Sequence, residues 1–128
     1  MSRPLAKGEK PVDWIGSSKK DFMAFPKSVQ IDMGVALGVA QFGAKHPSVK
    51  PLKGLGSGVL EIVESFDGNA YRAVYAVRLT DRIYVLHAFQ KKSVRGIATP
   101  EHEIDLIRRR LRMAEEDAAQ RAGQGKRA

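Results

Sequence analysis

The chain has 128 residues and no cysteine, and 43% of its residues are hydrophobic. That sets one small domain and excludes disulfides, thiolate catalysis and cysteine-held zinc. Its 22 Lys and Arg against 14 Asp and Glu leave a formal charge of +8, which favours a polyanionic partner such as nucleic acid, the ribosome or an acidic protein. No apolar run approaches a membrane span, and the opening MSRPLAKGEK lacks the apolar core of a signal peptide, so a cytoplasmic protein without membrane contact is expected.

Residues 1–10 are polar and are expected to be flexible. Pro11 to Ile15 (PVDWI) reads as a short strand added at a sheet edge. Ser17 or Ser18 then caps a helix, with Asp21 three residues after Ser18 in the manner of a capping box and Phe22 and Phe25 on the buried side. Pro26 opens a second helix, in which Val29, Met33, Ala36, Leu37 and Ala40 recur at helical spacing until Gly43 ends it. Gly34 and Gly38 lie inside this helix, each costing on the order of 1 kcal/mol relative to alanine. The expected return is close approach of the helix to a sheet.

Lys50 to Lys92 reads as a three-stranded antiparallel meander. Alternation puts Leu60, Ile62 and Phe66 of its first run on one side and Glu61 and Val63 on the other. The second run puts Tyr71, Ala73, Tyr75, Val77 and Leu79 on an apolar face and Arg72, Val74, Ala76 and Arg78 on the opposite face. Asp67-Gly68-Asn69 has hairpin chemistry, and Thr80-Asp81 is placed at a second hairpin. The third run, Ile83 to Phe89, is apolar on both faces except at His87, as an interior strand would be. Gly54, Gly56 and Gly58 read as a turn, with only weak resemblance to a phosphate cradle. After a basic loop from Gln90 to Gly96, Thr99 and Pro100 start a third helix with an apolar stripe of Ile104, Ile107, Leu111, Ala114 and Ala118. Arg108, Arg109, Arg110 and Arg112 read as its solvated face. The fold class is therefore α+β: a small antiparallel sheet, a three-stranded meander with an N-terminal edge strand, together with two N-terminal helices and a C-terminal helix. The single domain is placed at residues 11–118 and a disordered basic tail at 119–128.

The three histidines, His46, His87 and His102, lack metal-ligand spacing, and no cofactor motif is present. What remains is a cationic surface on the sheet and its margins: Lys50, Lys53, Arg72, Arg78, Lys91, Lys92 and Arg95. Cations suit cleavage of RNA through its own 2′-hydroxyl, which needs a base, stabilisation of a charged phosphorane and an acid for the leaving 5′-oxygen. A lysine crowded by other cations is pushed toward the neutral form that acts as a base. Arginine suits two phosphate oxygens at once. His87 or a nearby lysine is the candidate acid. The plainer alternatives are Arg72 and Arg78 as exposed sheet residues paired with Glu61 or Glu64, His87 as a hydrogen-bonded core histidine, and the lysines as ordinary loop residues.

The ordered set LKGLG, VLEI, YRAVY, YVLHAFQKKS and TPEHEIDLIRRRL, within Trp14 to Met113, resembles the RelE/ParE toxin superfamily, and within it the phage-related, HigB-like branch. The resemblance implies the toxin half of a type II toxin–antitoxin pair, with helices on one side of an antiparallel sheet. It also implies metal-independent cleavage of mRNA on translating ribosomes. Lys53 is then implied in phosphate binding or as base, Arg72 in stabilising the phosphorane, and Lys91 and Lys92 in holding RNA phosphates. Arg95 extends that group, and Lys50 and Arg78 complete the expected RNA-binding surface. The implied partners are mRNA, the ribosome and a helix-turn-helix antitoxin encoded alongside. Two departures stand out: Val63 occupies a position where many relatives carry arginine, and no tyrosine follows Tyr84, although His102 lies in that region. The competing readings are a ParE-like, non-catalytic inhibitor of DNA gyrase and a non-cleaving phage-related RNA-binding module.

Overall fold

The computed structural model describes residues 4–91 and 99–125, the side chains of 124 and 125 excepted. Within them the elements run β1 (Val12–Trp14), α1 (Ser18–Met23), α2 (Lys27–Gln41), β2 (Val49–Pro51), β3 (Val59–Phe66), β4 (Asn69–Ala76), β5 (Ile83–Lys91) and α3 (Glu101–Gly125). The strands form one sheet in the order β1-β5-β4-β3-β2. The α+β class holds, but the sheet is larger than expected and mixed: β1 pairs parallel with β5, whereas the other neighbours are antiparallel. β2 had no sequence signal because three residues are too few to show an alternating pattern. β5 is interior, as its two apolar faces require. Asp67 and Gly68, at φ 52° and 79°, make the two-residue loop between β3 and β4. The second connection is wider than a Thr80-Asp81 hairpin, since β4 ends at Ala76 and β5 begins at Ile83.

Both faces of the sheet are covered, which corrects the expectation of helices on one side. Phe22, Phe25, Val29, Met33, Ala36, Leu37 and Ala40 of the α1–α2 region pack on Ile62, Tyr71, Ala73, Tyr75, Ile83, Val85 and Ala88. On the other face Ile107, Ala114 and Ala118 of α3 pack on Val59, Val74, Ala76, Tyr84, Leu86 and Phe89. Ile104 and Leu111 join them, so the predicted stripe of α3 is the one used. A bulge makes the second face what it is. Val74 pairs with His87 but Tyr75 pairs with Val85, leaving Leu86 as an extra residue on β5. The bulge inverts the alternation, so His87 and Phe89 follow Leu86 onto the α3 side.

Four places differ from expectation. Residues 6–10 are tied down: Glu9 is buried, Ala6 N donates to Glu9 Oε1 at 2.9 Å, and Gln41 Nε2 donates to Lys10 O at 2.8 Å. α3 continues to Gly125, past the tail boundary placed at 119. Arg121 holds that extension, donating to Asp117 Oδ2 at 2.7 Å and to Asp13 Oδ2 of β1 at 3.2 Å, while Tyr84 Oη donates to Asp117 Oδ2 at 2.6 Å. Gly34 and Gly38 do not serve close packing, because a Cβ at either would meet nothing within 4 Å. Ser18 is not a cap: its buried hydroxyl donates to Val85 O at 3.1 Å, and Ser17, at the N-cap position, bonds Asp21 Oδ2 at 2.8 Å.

Candidate functional site

The α3 helix covers the β5 side of its face and leaves a cleft of about 600 Å³ toward β2, bounded by Lys50, Lys53, Glu61, Arg72, Glu101 and Arg108 among others. Register explains the gathering. Lys50 lies opposite Glu61 across β2 and β3, and Arg72 lies opposite Val63 of β3 and Phe89 of β5. Lys53 follows in the loop after β2. Lys91, opposite Ala70 two residues from Arg72, reaches this side only because the bulge at Leu86 inverts the alternation.

Glu61 is the centre. Arg72 Nη1 donates to Glu61 Oε1 at 2.7 Å, and Lys50 Nζ stands 3.6 Å from the same oxygen. The Glu61 side chain is 4% exposed and that of Arg72 13%, whereas Lys50 is 60% exposed, so the pair is desolvated and the lysine is not. Glu61 Oε2 and Arg72 Nε have no hydrogen-bond partner among the described residues. A buried charge pair with unused hydrogen-bonding positions is a poor stability device. Burial first, and then the charges of Arg72 and Lys50, hold the Lys91 ammonium below the usual lysine range, with Glu61 opposing. From sequence, Glu61 reads only as an exposed partner for Arg72. Its place opposite the apolar Val74 in an alternating strand is the signal that it is buried.

The remaining expected residues divide. His87 does not line this cleft. It is buried beneath α3, with Nε2 3.1 Å from Glu103 Oε1 and its ring stacked on Phe89 at 4.8 Å between centroids. Burial lowers its pKa against the opposing Glu103, so the neutral form prevails and the plainer reading of a core histidine is the one realised. Arg78 lies beyond the end of β4 at φ 71°, in a different cleft. Lys92 and Arg95 lie outside the described residues. Arg110, expected to be solvated, instead donates to Leu86 O at 3.0 Å and Ser17 Oγ at 3.0 Å, pinning α3 to the bulge and to α1. Among the described residues no three His, Asp or Glu side chains are grouped as metal ligands, and no helix is long and apolar enough to cross a membrane.

A family profile described as "Phage derived protein Gp49-like (DUF891)" matches residues 20–112, which runs from within α1 to about the middle of α3 and includes every residue of the cleft. The chain belongs to this Gp49-like family. This Gp49-like chain is also similar to the crystal structure of the toxin–antitoxin complex RelBE2 from Mycobacterium tuberculosis, at 17% identity and a TM-score of 0.41, over 66% of this chain and 94% of that chain. Comparison with curated proteins finds no match.

Proposed function

We propose that this Gp49-like chain is the toxin of a type II toxin–antitoxin pair, of the RelE-like, HigB-like kind, and that it cuts mRNA on translating ribosomes. The observation that carries the reading is the cleft in which Lys50 and Arg72 meet a buried carboxylate, with Lys53 in the same lining and Lys91 close by. The 2′-oxygen attacks the adjacent phosphorus, forming one P–O bond, and its proton passes to the Lys91 amine, whose lowered pKa favours the proton-free form that a base needs. Arg72, oriented by Glu61, donates to the equatorial phosphorane oxygens. The bond to the 5′-oxygen then breaks, and that oxygen takes a proton from the ammonium of Lys53. The products are a 2′,3′-cyclic phosphate and a 5′-hydroxyl. His87 has no part in this scheme, because it sits under α3 rather than in the cleft. The partner we propose is a small helix-turn-helix antitoxin that covers the cationic cleft and blocks entry of RNA.

Primer extension on an mRNA, with and without ribosomes, tests the reading. The informative variant is Glu61→Gln/Arg72→Gln, which removes both charges together and strands neither in the interior. Native protein is expected to cut with ribosomes present and the double variant not to cut while remaining folded. A folded double variant that cuts like the native protein removes Arg72 from the reaction.

A further inference from the structure

We propose that the RNA strand in the Arg72 cleft continues over the Lys53–Gly58 loop into a second cleft. There Lys10, Lys45 and Arg78 hold a further phosphate. The proposal deepens the nuclease reading and rests on it.

The second cleft, about 470 Å³, lies at the C-terminal end of α2 on the opposite face of the sheet. Its lining carries Lys10, Lys45 and Arg78 and no acidic residue. None of the three cations is committed to an ion pair among the described residues. The rest of the lining is mostly small or apolar, with Leu60 and Val77 half-buried beside the cations and Tyr75 fully buried. A groove whose cations track the backbone is the usual means of holding a single strand without sequence preference.

The two clefts are joined. Pro51 borders both, Lys53 and Gly54 face the first, and Gly56, Ser57 and Gly58 face the second. Gly54 and Gly56 sit at φ 90° and 88°, and a Cβ at either would point into open space. The ridge between the clefts therefore carries no side chain at Gly54 or Gly56, and Leu55 between them packs against the α3-side cluster, which leaves room for a strand to cross. Gly58 cannot be replaced for a different reason: its Cβ would lie 2.8 Å from Val77 O. This close approach holds the loop against the residue before Arg78, whose own φ of 71° is uncommon outside glycine. The end of α2 carries about half a negative charge, which works against an anion. Its last carbonyls are already occupied, with Gly43 N donating to Ala40 O at 2.9 Å and Ala44 N to Val39 O at 3.1 Å. Three unpaired cations outweigh it.

Fluorescence anisotropy with labelled 2′-O-methyl oligouridylates, a trimer and a dodecamer, tests the path, since the methyl group prevents attack. The variant is Lys45→Gln/Arg78→Asn, asparagine being chosen because it tolerates positive φ. The dodecamer is expected to bind the variant about tenfold more weakly, with a salt slope smaller by ~0.7 for each phosphate left without its cation, and the trimer to bind unchanged. Unchanged dodecamer affinity and slope overturn the proposal, as does an equal loss for both lengths. Native protein that binds neither oligonucleotide also overturns it. The nuclease reading is judged separately, by primer extension with the Glu61→Gln/Arg72→Gln variant.

Discussion

On the α1–α2 face of the sheet, Met33, Ala36, Ile62 and Ala73 are fully withdrawn from water. A chain of rings from Trp14 through Phe22 and Phe25 to Tyr71, at centroid spacings of 5.3, 6.0 and 5.0 Å, closes the margin. On the α3 face an apolar seam of similar quality covers Tyr84 and Leu86, but the cover stops at Ile104, and beyond it Glu61 and Arg72 face each other in a cleft. The first face is closed across its centre by apolar burial, and its cleft lies out at the C-terminal end of α2. The second is closed halfway, which withdraws charge from bulk water without sealing it. A phosphate entering such a cleft meets donors whose fields are weakly screened.

The comparison makes different demands on variants of the two faces. The largest effect is expected for Arg72→Ala, which strips the buried Glu61 carboxylate of its one hydrogen-bonded cation and leaves it the more distant charges of Lys50 and Lys91. Breaking a buried pair from one side costs about 3–5 kcal/mol, so thermal unfolding should show a severe loss alongside lost toxicity. Met33→Ala on the other face should cost about 3 kcal/mol through the cavity it opens, with the positions of RNA cuts unchanged in whatever protein stays folded. Changed cut positions in this variant would break the division of labour between the faces.

Smaller effects sharpen it. Tyr84→Phe removes one donor from Asp117 and should cost about 1 kcal/mol in denaturant titration, most of it seen as fraying of the end of α3 by hydrogen exchange. Gly34→Ala should stabilise by about 0.5–1 kcal/mol, because its Cβ enters open space. A loss there would mean that the glycine serves an interaction outside the chain. His87 gives the smallest and most specific signal. Burial holds its pKa below the ordinary 6.5, so below 6.5 the unfolded chain binds a proton that the folded chain resists. Stability contributed at this site is therefore complete above 6.5 and falls as pH drops beneath it. Melting temperatures of His87→Gln should show a shallower acid slope than those of the native protein.

Much of this molecule is legible in its sequence where periodicity is long. The stripes of α2 and α3, the two alternating runs of β3 and β4, and the interior character of β5 each extend over several residues, and tertiary packing confirms them. What escapes is short or non-local. β2 is too brief to alternate, and the parallel pairing of β1 with β5 joins residues far apart in the chain. The bulge at Leu86 is one residue, yet it decides that Lys91 shares a face with Arg72. The extension of α3 depends on Asp13 and Tyr84, which no pattern within residues 119–125 announces. In the site, charge alone points to Lys50, Lys53 and Arg72. Glu61 is harder to see, because an acid among cations reads as a surface partner until its burial is known. His87 is drawn in by residue type and lies under α3, whereas Arg78 lies in the second cleft and not beside Arg72.

The central claim is that cations around Glu61 assist a ribose oxygen in displacing its neighbouring 5′-oxygen. The chemical ends of RNA cut by the native protein test this most directly. The account predicts a 2′,3′-cyclic phosphate on one fragment and a 5′-hydroxyl on the other. Fragments bearing a 3′-hydroxyl and a 5′-phosphate, or intact RNA beside a folded and toxic protein, would contradict it.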